Sequence, residues 1–362
     1  MEDPGASGRI VEIDVAKGMA CLLMIAAHFI SARLLPFGTF AAPLFFACSG
    51  MNTILLLERT RDDRRYDLFH LFFPALLFFG GVTQVVIAHG GPLRVVPEFL
   101  QCIAMSLIVL FLLSRVIRRT LRIGWLFPLP FVVHQLVTAD FPAAPLNLFF
   151  SRGFALFPWL GFFLFGVLLL SLRRAWVPRL AVALAAASGT GLALSGRMPD
   201  KFAMSFSYAL LALLATSLFF LLARGMAGRA RRGFLGGVVE FFALPGRNSL
   251  MFVFLHYFAL RYLATADFFP HFAFYLVLEP LYLFAACWVL LRVYEEARHR
   301  TALLGPLLGL LATLAALRWG GLLARSVDVR VVDLTVGLLF ALAYVLLRRK
   351  LSAFCRRLPA GG

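Results

Sequence analysis

The sequence predicts an all-α fold, a polytopic transmembrane bundle of about twelve helices (ten to twelve), and three observations carry that expectation. Apolar residues make up 61% of the chain and charged residues 15%, against roughly 45–50% and 25% in a soluble domain. Apolar runs follow one another from residue 18 to residue 348, and about 20 such residues are what a helix needs to cross a hydrocarbon core roughly 30 Å thick. The 35 Lys and Arg residues gather between the runs and divide 26 to 9 between alternate loops. A net charge of +17 would suggest nucleic acid in a soluble chain; confined to short loops, it sets orientation instead, and no nucleic-acid partner is expected.

The runs lie at 18–35, 38–57, 67–88, 98–117, 121–138, 154–172, 176–195, 203–223, 248–265, 271–293, 302–323 and 331–348. The first follows a tail holding Glu2, Asp3, Arg9, Glu12, Asp14 and Lys17 and has no small-residue cleavage pattern, so it is expected to stay as a helix. The second to fourth are bounded by charged loops. The fifth is short, with Pro128 and Pro130 predicting a kink near His134. The sixth to eighth are apolar runs, and the ninth carries Asn248, Ser249, His256 and Arg261. The tenth holds Glu279 before Pro280, an acid where an acid is costly. Arg318 interrupts the eleventh, and the twelfth ends in a basic tail. Both termini fall in the set of 26 charges, which the positive-inside rule assigns to the cytoplasm, and the loops holding Arg94 and Arg152 are expected outside. Residues 1–362 read as one membrane domain, with the bacterial inner membrane as the expected location. Cys21, Cys48, Cys102, Cys287 and Cys355 have no paired spacing, so neither a disulfide framework nor a metal site is expected.

Chemistry concentrates on the first helix. Asp14, Lys17, Cys21 and His28 are spaced three, four and seven apart, which is one helical face. Lys17 and His28 are eleven residues apart, or roughly 16 Å along a helix. With Lys17 at the membrane boundary, His28 stands near the bilayer midplane, where an ionisable group is a candidate functional residue. The competing role is a packing histidine above a snorkelling lysine. On the second run Ser49, Gly50 and Asn52 bring small and polar groups to similar depth, where a packing notch is the alternative.

With Arg9, Asp14, Lys17, His28, Phe45, Phe46, Ser49 and Gly50 in this order and spacing, the chain resembles the transmembrane acyltransferase superfamily; these positions match the pattern of the related acyltransferase-3 family, apart from Lys17 where that family has Arg. Three later segments are similar to the branch that includes heparan-alpha-glucosaminide N-acetyltransferase: EFLQCIAMSLIVLFLL, FPWLGFFLFG (Phe157–Gly166) and GRNSLMFVFLH (Gly246–His256). The resemblance is strongest over 9–262. It implies transfer of an acyl group, often acetyl, from acyl-CoA to a hydroxyl or amine of a carbohydrate or glycan. It further implies His28 and His256 as catalytic residues, with Asp14, Lys17, Ser49, Asn52, Gln101, Arg247, Asn248 and Ser249 around the donor. A neutral imidazole in apolar surroundings suits a general base or an acyl acceptor. CoA phosphates require cations, for which Lys17, Arg59, Arg61, Arg64, Arg65 and Arg247 are candidates; for the loop arginines a purely topogenic role competes. Arg261, Glu279 and His134 are further intramembrane polar residues without an assigned role. A secondary transporter or a non-enzymatic membrane protein is the alternative, although no internal repeat of the kind transporters carry is present. Oligomeric state and acceptor identity are not legible.

Overall fold

The computed structural model describes residues 10–29, 36–89, 98–137, 146–150, 153–195, 199–201, 203–229, 233–263, 272–297, 304–319 and 329–357. Arg9, Arg94 and Arg152 lie outside the described residues. Regular structure among those described is entirely helical: α1 (Val11–Phe29), α2 (Ala41–Thr60), α3 (Asp67–His89), α4 (Phe99–Val116), α5 (Thr120–Gly124), α6 (Pro128–Leu136), α7 (Asn147–Phe150), α8 (Leu156–Ser171), α9 (Trp176–Ser195), α10 (Phe206–Arg229), α11 (Phe234–Arg247), α12 (Ser249–Tyr262), α13 (Phe272–Ala297), α14 (Leu304–Trp319) and α15 (Val329–Arg357).

Each of the twelve runs falls on helix, but not every run is one long helix. Among the described residues five segments are long and apolar enough to cross a membrane: Gly38–Thr60, Arg64–Ile87, Phe99–Val116, Phe206–Arg229 and Val331–Cys355; α11 and α12 together make a sixth only as a span bent by 93°. Shortfalls elsewhere have local causes. Helices α8 and α14 are 16 residues each, about 24 Å at helical rise. Glu12, Asp14 and Lys17 charge the opening turns of α1. The fifth run splits into α5 and α6, because Pro128 and Pro130 lack the N–H groups that would continue the ladder, and Pro128 instead opens α6.

Helix α11, like the four-residue α7, is absent from the sequence-based expectation, which treated these residues as a loop. The pattern of α11 shows why. Its apolar positions Val239, Ala243 and Leu244 are buried while Phe234 and Leu235 are exposed, an amphipathic rather than a continuously apolar pattern.

Inside a bilayer, moving a side chain from lipid to protein interior yields little hydrophobic gain, so close packing must hold the helices together. Two crossings do this through paired glycines. A Cβ on Gly50 of α2 would strike the Phe163 carbonyl of α8, and one on Gly166 of α8 the Ala47 carbonyl of α2. Likewise Gly18 of α1 faces the Phe242 carbonyl of α11, and Gly246 of α11 the Asp14 carbonyl of α1. The segments PLFFACSG and FPWLGFFLFG thus pack against each other, and the α1 constellation against GRNSL. Phe46 adds edge contact with Phe99 at 5.3 Å and a tilted contact with Trp159 at 5.3 Å, which brings the start of α4 into the same core. Apolar stripes face outward: Leu112 and Val116, Leu218 and Leu222, and Val289 and Val293 are each one turn apart and all more than half exposed. Such stripes would be a liability in water and are ordinary against lipid tails.

Candidate functional site

Helices α1 and α12 bring two imidazoles together. The ring centroids of His28 and His256 are 5.4 Å apart and tilted by 31°. His256 is buried, 1% exposed. Its Nδ1–H donates to the Phe252 carbonyl four residues back at 3.3 Å; a carbonyl can only accept, so the proton is on Nδ1 and Nε2 presents a lone pair. That Nε2 has no hydrogen-bond partner among the described residues. A buried polar atom without a partner is costly, and in native proteins asks for a reason. His28, in the last turn of α1, is by contrast exposed.

Tyr257 and Lys201 complete the surroundings. The Tyr257 ring is 6.0 Å from His28, and its hydroxyl accepts from Gln84 Nε2 at 3.4 Å, while Gln84 Oε1 accepts from the Leu100 backbone N–H at 3.4 Å. The ammonium of Lys201, between α9 and α10, lies within electrostatic reach of His28 and 5.6 Å from the Phe154 ring. Burial pushes Lys201 down to about 8.

A second feature lies toward the start of α1. A cavity of about 1690 Å³ is lined by Asp14 and Lys17 of α1, Ser49, Asn52 and Arg59 of α2, and Arg247, Asn248 and Ser249 at the junction of α11 and α12. Its deep residues are buried: Asp14 is 4% exposed, Ser49 6%, Asn248 5%. Lys17 sets its Nζ 4.6 Å from the centroid of the Phe45 ring. Arg247 donates to both oxygens of Glu240, at 3.0 and 2.5 Å, and is 3.6 Å from Glu295. Asn248 holds the bend: its Nδ2 donates to the Leu244 carbonyl and to Glu295, each at 3.0 Å. With Arg348, Arg349 and Lys350 of α15 also on its wall, the lining carries six Lys or Arg against two acids, Asp14 and Asp63.

Seven of the eight residues expected around the donor, Asp14, Lys17, Ser49, Asn52, Arg247, Asn248 and Ser249, therefore share one cavity, and the two histidines form a pair outside its lining. Gln101 does neither. It is fully buried, its Oε1 accepts from the Glu98 N–H at 3.3 Å in a capping box that starts α4, and it packs against Gly81. The structure places Gln101 in a helix cap beside Gln84 rather than at the cavity. Of the candidate arginines Arg59, Arg61, Arg64, Arg65 and Arg247, Arg59 and Arg247 line the cavity. Arg61 donates to the Arg118 carbonyl and Arg115 to the Arg61 carbonyl, each at 2.6 Å, so this pair clamps two loops at one end of the bundle. Arg65 is committed to Asp63 at 2.6 Å. Arg261 is exposed, Glu279 is buried at 2%, and His134 contacts the Ala203 carbonyl at 3.4 Å.

Sequence reasoning missed Tyr257, Gln84, Lys201 and the α15 cations. Tyr257 adjoins a flagged histidine, and a lone lysine between two runs was counted only as a loop charge. Among the described residues no group of three His, Cys, Asp or Glu is placed to hold a metal ion. No protein-family model, curated protein or solved structure matches the chain.

Proposed function

We propose that the chain is a membrane-embedded acyltransferase. It moves an acyl group, acetyl in the simplest case, from cytoplasmic acyl-CoA to a hydroxyl or amine of a carbohydrate or glycan. In this reading it sits in a bacterial inner membrane with about twelve spans and both termini cytoplasmic.

The observation that carries the proposal is an alignment along two helices. Lys17 and His28 lie on α1, and Asn248 caps the start of α12, which carries His256. From cavity to imidazole is eleven residues on the first and eight on the second, roughly 16 and 12 Å at helical rise. A polyphosphate head held in the basic cavity would leave its thioester arm to run toward the histidine pair. A neutral imidazole there takes the proton of the acceptor O–H or N–H as oxygen or nitrogen attacks the thioester carbonyl carbon. The tetrahedral adduct collapses with cleavage of the C–S bond, and the imidazolium returns its proton to the departing thiolate. Ester or amide and free CoA thiol leave, and no redox partner is needed. His28, being the exposed imidazole, suits proton transfer with the acceptor. His256 presents Nε2 beside it and suits holding the water or acceptor atom in line.

Thioester cleavage tests this. Purified protein in lipid nanodiscs, given acetyl-CoA labelled in the acetyl group and a panel of hexosamines and glycans, is expected to release free thiol and label the acceptor. Uptake of an intact solute into proteoliposomes without thioester cleavage from any acyl-CoA would overturn the proposal in favour of transport.

A further inference from the structure

We infer that Arg348, Arg349 and Lys350, in the final turns of α15, form a phosphate-binding subsite that makes the cavity selective for a donor carrying a nucleotide polyphosphate over the same acyl thioester without one. The inference rests on the reading of the cavity as the donor site. Helix α15 lies beyond the stretch of family resemblance, so nothing in the motifs assigns it a part.

Cations at a cytoplasmic helix end are normally topogenic, and such residues need only face the headgroups. These three do more. They line the same cavity as Lys17 of α1 and Arg247 at the α11–α12 junction. The Arg348 guanidinium lies 5.7 Å from the centroid of the Phe69 ring, and Phe69 of α3 is 4% exposed, so this arginine is turned onto the bundle. Arg247 is bound to Glu240 and Glu295, and Lys17 shares the cavity with Asp14. After Asp333 the chain contains no acid at all. The cavity lining as a whole carries six Lys or Arg against two acids, and α15 adds to it two guanidinium forks suited to phosphate oxygens. Phe354, 58% exposed, lines the same mouth one turn beyond Lys350. An open aromatic face beside three cations fits a base next to its phosphates, since bases stack on such rings.

Phosphate is also the chemistry of anionic lipid headgroups, and the test separates the two sources. Full-length protein is assayed in nanodiscs of phosphatidylcholine alone and of phosphatidylcholine with phosphatidylglycerol, with acetyl-CoA and with acetyl-pantetheine as donors. The variant combines Arg348→Gln, Arg349→Gln and Lys350→Gln, and Phe354→Ala serves as a second, milder one. The triple variant is expected to raise the KM for acetyl-CoA at least about tenfold, in both lipids, and to move the KM for acetyl-pantetheine less than about twofold. An effect seen only with the anionic lipid assigns the cations to headgroups and overturns the inference. So does an equal loss with both donors, or unchanged KM values. Equilibrium dialysis with radiolabelled CoA keeps the subsite separable from catalysis. CoA binding lost in both variants, in a protein that transfers no acyl group, retains the subsite and removes the acyltransferase reading. Intact transfer with unaltered CoA affinity in both does the reverse.

Discussion

A buried imidazole tied through Nδ1–H to the Phe252 carbonyl has a set tautomer, which leaves the lone pair on Nε2, an atom without a hydrogen-bond partner among the described residues. Lys17 plays a different part, at the cavity and roughly three helical turns from His28. Lys17→Ala is expected to raise the KM for the donor while leaving kcat within a fewfold, and Lys17→Arg to keep most activity; Asp14→Asn should cause the smaller loss. Steady-state kinetics with acetyl-CoA decide this, and a fall in kcat with unchanged KM for Lys17→Ala would remove it from donor binding. Lys201 gives a pH signature. Its ordinary value of 10.5 is lowered to about 8 by burial, so below about pH 8 the folded protein carries a cation that it disfavours. As pH rises from 8 toward 10.5 the folded protein releases that proton while the unfolded chain keeps it, and stability rises. Lys201→Met should therefore raise Tm at pH 7, with the advantage shrinking by pH 10; an unchanged difference across that range contradicts the assignment. Lys17, Asp14 and His28 were legible because helical spacing puts them on one stripe. Tyr257, Gln84 and Lys201 were not, because their meeting depends on how α3, α12 and the α9–α10 connection pack.

Helix pairs held by reciprocal glycines give the second scale its logic. At the α2–α8 and α1–α11 crossings each backbone sits where the other's Cβ would be, so Gly50→Ala and Gly246→Ala must push whole helices apart. Each is expected to cost about 1–3 kcal/mol, the usual cost of overpacking, read as a lower melting temperature in detergent. Gly225→Ala, whose added Cβ would meet nothing, should be neutral or slightly stabilising. Equal effects at all three positions would contradict the crossing geometry. The apolar runs revealed which residues would be helical. They did not reveal α11, because an amphipathic helix that lies along α1 has no continuous apolar run. Nor did they reveal the 93° bend at Asn248, which depends on side-chain bonds to Leu244 and Glu295. The bend nonetheless positions the site, since it sets Arg247 and Asn248 at the cavity while α12 carries His256 inward.

For the whole molecule, composition and charge pattern indicated an all-helical membrane bundle, and the apolar outward stripes agree. The number of crossings was less legible: short and interrupted helices such as α5, α6, α8 and α14 cross or fail to cross according to their neighbours, not their own length. Residues near the start of α1 and near the end of α15 line one cavity, which brings those two helix ends together. Single cysteines placed at Asp62 and Asp200 are expected to label from opposite sides of the membrane in sealed vesicles, and labelling from one side would break the proposed topology.

The central claim is that acyl transfer runs through the imidazoles of α1 and α12, and single-turnover acyl transfer by His28 variants in nanodiscs measures it most directly. His28→Ala and His28→Gln should both fold and bind CoA with near-normal affinity, yet transfer the acetyl group at least about a hundredfold more slowly than the parent protein. A folded His28→Gln protein that transfers at close to the parent rate would contradict the claim, because glutamine keeps a hydrogen bond but cannot take a proton.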